Sequence, residues 1–142
     1  MERAIELAKE SFNEGEVPVG AVIVKDEKII GEGKNKVIFE NDVTSHAEIN
    51  AIRDASKTIQ NYRLNDCSMY VTLEPCHMCA KAAVDARMSS VIFATSEPKT
   101  GSIVSIDNFF DKKELNHNPK YQFGLLKEES SMLLKDFFRL RR

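Results

Sequence analysis

No stretch of this 142-residue chain approaches the ~18–20 consecutive apolar residues that a bilayer-spanning helix needs. The opening Met1-Glu2-Arg3-Ala4-Ile5 carries charge early and has no apolar run followed by a small-residue cleavage site, so a secretion signal is not expected. Cysteine is scarce as well. Three cysteines cannot all pair with one another, and without a secretion signal a disulfide framework is not the expected use for them. Repeats, low-complexity tracts and linkers are missing, which leaves one α/β domain spanning residues 1–142 as the expectation. A large charge of either sign is also missing. The formal net charge of −2 does not announce a nucleic-acid binder, although a weakly acidic domain binds nucleic acid if its positive charge gathers on one face. With 42% hydrophobic and 30% charged residues the composition is that of an ordinary globular protein, and the lack of a secretion signal with so few cysteines makes the cytoplasm its expected place.

What is present reads as alternating helices and strands. Ile5, Ala8 and Phe12 recur at helical spacing and Gly15 follows, which predicts a helix over 2–14. The β-branched run from Val17 to Val24, the turn Asp26-Glu27 and the return from Lys28 to Gly33 predict a hairpin. Residues 35–44 are polar and irregular, a loop. A helix is expected from Ser45, the candidate N-cap, with Ile49, Ile52 and Ala55 on one face. Ser68–Leu73 reads as a strand, Pro75 as the opening of a helix carrying Cys76, Cys79 and Ala83, and Val91–Ala94 as a short buried strand. Residues 96–120 are expected to form a long surface excursion with some helix near 106–113. A last helix follows Leu125-Leu126, its apolar side formed by Leu126, Leu133, Leu134, Phe137 and Phe138.

The chemistry-bearing residues are His46-Ala47-Glu48 and Pro75-Cys76-His77-Met78-Cys79. Three residues apart at a helix start, Cys76 and Cys79 project from the same face, so two thiolates reach one ion at ~2.3 Å. No second Cys-x-x-Cys completes a four-sulfur structural site. His46 would be the third ligand, leaving the fourth tetrahedral position for water, the mark of a catalytic zinc site with one zinc per chain. Helix N-termini favour thiolate through their partial positive charge. Glu48, two residues from His46, is placed to take a proton from that water and return it to the ring nitrogen and then to the leaving amine. Taken alone, the Cys-x-x-Cys fits a redox pair and the His-x-Glu is weak. Together, in this order and with Pro before the first Cys, they form the His-x-Glu…Pro-Cys-x-x-Cys signature of zinc deaminases. His77 falls one residue off the ligand face and reads as a non-ligand; Cys67, before a strand, reads as a packed free thiol.

Beyond the metal motif the sequence resembles the bacterial tRNA adenosine deaminases, within the cytidine-deaminase-like zinc deaminase family. The likeness runs through Gly15–Ala21, Asn35, His46–Ile49, Asn61–Leu64, Tyr70–Cys76 and Met78–Ala80. Pro98-Lys99-Thr100-Gly101, Asn116-His117 and Asp136–Arg142 continue it, and these stretches point to the tRNA branch. The resemblance implies a three-layer α/β/α sandwich around a central mixed sheet, and a homodimer with active sites near the subunit interface. It also implies that Asn35 hydrogen-bonds the substrate base or ribose; an amide offers an acceptor and two donors to a base edge, while a turn role after Gly33 is the plain alternative. Lys81, where the family usually has Gly, the stretch Val43-Thr44-Ser45, and Glu97 before Pro98 depart from the pattern without touching a ligand or the acid/base residue.

Three functions compete. The first is adenosine-to-inosine conversion at the wobble position of a tRNA anticodon, where a splayed base in a single-stranded loop reaches the metal site at little cost. Arg139, Arg141 and Arg142 would then meet phosphates of the anticodon stem-loop; a helix terminus whose cations complement the dipole is the plain alternative. Phe137 and Phe138 would stack or pack, at least one of them in the core because adjacent helical residues diverge. The second is deamination of a free base or small nucleotide, cytosine or guanine, which shares every zinc residue. The third, a non-catalytic zinc-stabilised RNA-binding subunit, is disfavoured by the presence of Glu48.

Overall fold

A computed structural model describes residues 1–141, so the expected role of Arg142 lies outside the described residues. Five strands form one sheet in the order β2-β1-β3-β4-β5. They are β1 (Gly20–Lys25), β2 (Lys28–Lys34), β3 (Ser68–Leu73), β4 (Ser90–Thr95) and β5 (Lys120–Phe123). The β1/β2 hairpin and the β1/β3 pair are antiparallel, whereas β3, β4 and β5 run parallel. Helices α1 (Glu2–Asn13) and α5 (Lys127–Leu140) touch each other on one face, and α3 (Ala47–Ile59) and α4 (His77–Asp85) touch each other on the opposite face. The protein is a three-layer α/β/α sandwich with a mixed sheet.

Alternation along the strands divides the core. Ala21, Ile23, Met69, Val71, Val91 and Phe93 pack towards α3 and α4, with Ala80, Ala83 and Val84 above them. The α3 side is unusually tight, because its buried residues include Ala47, Ala51 and Ala55 at four-residue spacing. Those alanines rest on Gly31 and Gly33 of β2, where a Cβ at Gly33 would lie 2.2 Å from the Ala47 carbonyl oxygen. The expected apolar face of this helix was Ile49, Ile52 and Ala55; Ile49 and Ile52 are only half-buried, since helix and strand approach too closely for large side chains.

Three local expectations change. The loop over 35–44 contains a short helix, α2 (Val37–Glu40), ended by Asn41 in the left-handed region at φ 51°. Ser45 is not the cap of α3: its hydroxyl donates to Glu40 and accepts from Asn50, and His46 takes the N-cap position. The excursion over 96–120 holds a single 3-10 turn, Phe109–Asp111, and ends in β5, an edge strand whose largely exposed residues carry no alternation to reveal it. No described helix is long and apolar enough to cross a membrane.

Candidate active site

Two helix starts converge at the carboxyl end of β3, the side of an open α/β sheet where ligands settle. His46 caps α3 with extended backbone (φ −76°, ψ 154°), and Cys76 caps α4 likewise (φ −73°, ψ 175°). Cys79 follows one turn into α4 and is buried. The Nδ1 atom of His46 lies 3.7 Å from Cys76 Sγ and 3.5 Å from Cys79 Sγ. The three ligand atoms all lie within 4.8 Å of one another. A tetrahedral zinc with ~2.3 Å bonds to sulfur and ~2.0–2.1 Å to nitrogen separates such atoms by roughly 3.5 Å. The donor set and its spacing therefore fit one metal ion.

Electrostatics favours a cation there. The Cys76 thiol, hydrogen-bonded by Cys79 and His46 against the opposing effect of burial, is brought down to about 4. Cys79, beside that thiolate and buried, is pushed up instead. One sulfur ionises readily and the second only at a cost that a divalent cation removes. Hydrogen bonding to Cys76 raises His46, with burial opposing. Glu48, in the first turn of α3 and only 5% exposed, has its carboxyl pushed up to about 7 by burial.

A cavity of about 180 Å³ opens over this cluster, lined in part by Asn35, His46, Glu48, Glu74, Cys76 and Thr100. Val17, Val19 and Leu73 add apolar walls. It is smaller than the usual ~300–1,000 Å³ of ligand pockets and suits a single planar ring system. Asn35 is buried at the pocket wall. Its backbone amide donates to the Val19 carbonyl at 3.2 Å, and its own carbonyl accepts from the Ser11 hydroxyl at 3.2 Å. A larger cleft of about 500 Å³, where Lys34, Asp54 and Lys57 lie, contains none of His46, Cys76 and Cys79.

The remaining expected residues sit apart from the cluster. His77 is turned out to Asp107 at 3.3 Å, and Cys67 is buried at the start of β3 with its thiol on the Asn65 carbonyl. Phe137 is 5% exposed and Phe138 50%, so one packs and its neighbour faces solvent. Arg139 pairs with Asp136 at 3.1 Å on the surface. Arg141 lies over the Phe137 ring at 4.5 Å and donates to the Gly15 carbonyl at 2.6 Å. That hydrogen bond brings the basic terminus two residues from Val17 of the pocket wall. Lys81 is exposed and paired with Asp85.

Reasoning from sequence missed Glu74 as a site residue. It is 2% exposed, yet its carboxylate is held charged. Burial opposes ionisation, but the Ser105 hydroxyl and the amides of Val104, Ser105 and Glu97 outweigh it and hold the carboxyl below its usual range. Its place directly before Pro75-Cys76 was the available signal. Asn50 was missed too; its amide ties the Lys34 carbonyl to the Ser45 hydroxyl and so joins β2 to the start of α3.

The chain belongs to the MafB19-like deaminase family, whose match runs over residues 1–142. The fold is that of the cytidine-deaminase-like enzymes. It is similar to a tRNA-specific adenosine deaminase of Haemophilus influenzae, 49% identical over 100% of this chain and 83% of the relative. Among solved structures it resembles one from work on A-to-I editing by tRNA:A34 deaminases at the wobble position. That likeness has a TM-score of 0.92 and 40% identity, and covers 94% of this chain and 97% of the other. A guanine deaminase from Bacillus subtilis is 39% identical with a TM-score of 0.66, over 99% and 90% of the two chains.

Proposed function

We infer that this protein is a hydrolytic deaminase that converts adenosine to inosine at the wobble position of a tRNA anticodon. The observation carrying the chemistry is the cluster of His46, Cys76 and Cys79 at a pocket sized for a base, which His46, Cys76 and the buried Glu48 line. The substrate follows from the full-length likeness to tRNA-specific adenosine deaminases. Zinc, one per chain on His46, Cys76 and Cys79, is the metal we propose. When bound it supplies the Lewis acidity that makes water a nucleophile near neutral pH. Glu48 takes a proton from the attacking water, delivers it to the ring nitrogen, and returns the second to the departing amine; adenosine and water become inosine and ammonia. Asn35 offers its amide to the base or ribose, and Arg139, Arg141 and Arg142 offer charge to phosphates of the anticodon stem-loop. A cytoplasmic homodimer completes the reading.

Deamination of a free base remains the second reading, favoured by the 39% identity to a guanine deaminase. Its lower TM-score, 0.66 against 0.92, ranks it behind. Transcribed anticodon stem-loops and free guanine, cytosine and adenine, incubated with the zinc-loaded protein, separate the two. Inosine in the stem-loop is expected; turnover of a free base with an unaltered stem-loop would overturn the tRNA reading. Sedimentation giving a single-chain mass would overturn the dimer.

A further inference from the structure

We propose that Glu74 is a positioning residue that clamps residues 97–105 against the start of α4 and thereby fixes the Thr100 wall of the base pocket. The proposal rests on the deaminase reading of that pocket. Three successive amides converge on one carboxylate oxygen: Ile103, Val104 and Ser105 donate to Glu74 Oε2 at 3.0, 2.8 and 3.0 Å. The other oxygen accepts from the Glu97 amide at 3.1 Å and from the Ser105 hydroxyl. Consecutive amides aimed at one point form a nest of the kind that binds anions, and here the chain supplies its own anion.

The segment it holds is irregular, so its amides have few alternative partners, and buried amides must be satisfied. A second tie runs through Pro75, whose carbonyl accepts from the Ser102 amide at 3.0 Å and the Ser102 hydroxyl at 3.2 Å. Glu74 and Pro75 immediately precede Cys76, so the loop is fastened to the same turn that starts the metal helix. Gly101 shows how closely the two fit. A Cβ there would lie 2.4 Å from Glu74 Cδ, 2.5 Å from Oε1 and 2.6 Å from the Glu97 carbonyl oxygen. The neighbouring Thr100 shares the pocket lining with Glu74. Glu74 therefore acts on the fit of the substrate through Thr100 and not on the proton transfers, which belong to Glu48.

The test uses the zinc-loaded full chain and compares Glu74→Gln, Glu74→Asp and Gly101→Ala. Gln keeps an oxygen for the three-amide nest and gives up the hydrogen bond from the Glu97 amide. Asp falls short of the nest, and Ala at 101 pushes the clamp from the opposite side. The expected result is unchanged metal content and a kcat/KM lowered in the order Gln, then Asp and Gly101→Ala. Misplacement of a substrate-positioning group by about 1 Å costs on the order of 10²-fold, and here the loss should fall mainly on KM. A merely structural role would lower Tm while leaving KM of the folded, metal-loaded enzyme unchanged, and that result overturns the proposal. Loss of metal in Glu74→Gln would also overturn it, because the carboxylate would then be serving Cys76. If Gly101→Ala does not fold, the Gln variant decides. The comparison is made on whichever substrate the wild type turns over: inactivity on the stem-loop counts against the tRNA reading, and unchanged KM counts against the clamp.

Discussion

Glu48 sits on a helix start with its carboxyl at about 7, raised by burial, while an unfolded chain leaves it near its ordinary value of about 4.3. Between those values the folded state holds a proton that the unfolded state has lost. The contribution of Glu48 to the stability of the metal-free protein is therefore lost as pH rises through that window, by up to about 4 kcal/mol, while the Cys76 thiol, held low in the fold, contributes in the opposite direction. Glu48→Gln should remove this contribution alone, so the stability of the variant relative to wild type should rise with pH from 5 to 7, as read by chemical denaturation in chelator; a difference independent of pH would place the titration elsewhere. In the metal-loaded protein the same variant should retain the ion and RNA binding while turnover drops by at least ~10²–10⁴-fold, the usual worth of general acid–base catalysis. Substantial residual deamination would mean that another group moves the protons. The proposed ligands give a different pattern. Replacing His46, Cys76 or Cys79 with Ala should cost both metal and activity, while Cys67→Ala, a core thiol that donates to the Asn65 carbonyl, should keep the metal by elemental analysis.

The helices that deliver these side chains are set by close packing. At Gly33 an added Cβ would lie 2.2 Å from the Ala47 carbonyl oxygen and 2.4 Å from the Ala51 amide, both backbone atoms of α3 with no rotamer to yield. Gly33→Ala must move the helix that carries His46 and Glu48, so it should lower Tm by overpacking worth about 1–3 kcal/mol and reduce kcat with it. A variant with wild-type kcat would show that α3 tolerates the shift. This packing also explains what the sequence made legible. The clustering of His46, Cys76 and Cys79 was readable because its spacing, His-x-Glu and Pro-Cys-x-x-Cys at helix starts, is local. The hairpin and central strands were readable from β-branched runs. The alanine face of α3 was not, because a periodic pattern marks burial by large apolar side chains and here smallness marks it. The strand at Lys120–Phe123 was hidden by its exposed edge position. Glu74 escaped because its partners lie 23 to 31 residues further along the chain, a distance that no local pattern spans.

Across the whole molecule a net charge of −2 must be reconciled with a polyanionic substrate. The C-terminus is the locally basic stretch proposed to meet it, and its two described arginines differ in what they already do. Arg139 is exposed and, among the described residues, paired only with Asp136, an interaction worth little in water, so its charge is available to a phosphate. Arg141 is partly committed. It covers the Phe137 ring, which packs edge-on against Phe12 at 5.9 Å, and it ties the end of α5 to Gly15 near the pocket wall. Arg139→Ala should then weaken stem-loop binding and flatten its salt dependence, by roughly 0.7 in log–log slope for each phosphate no longer neutralised, with Tm unchanged. Arg141→Ala should do the same while also lowering Tm, because it loosens the terminus from α1. Deamination of a free base, where any occurs, should not respond to Arg139→Ala, since a free base carries no phosphate. Affinity measured at several salt concentrations for both variants, beside thermal melts, reads all of this. If neither slope changes, the arginines serve only the helix end and its packing, and RNA must reach the pocket along another face of the protein.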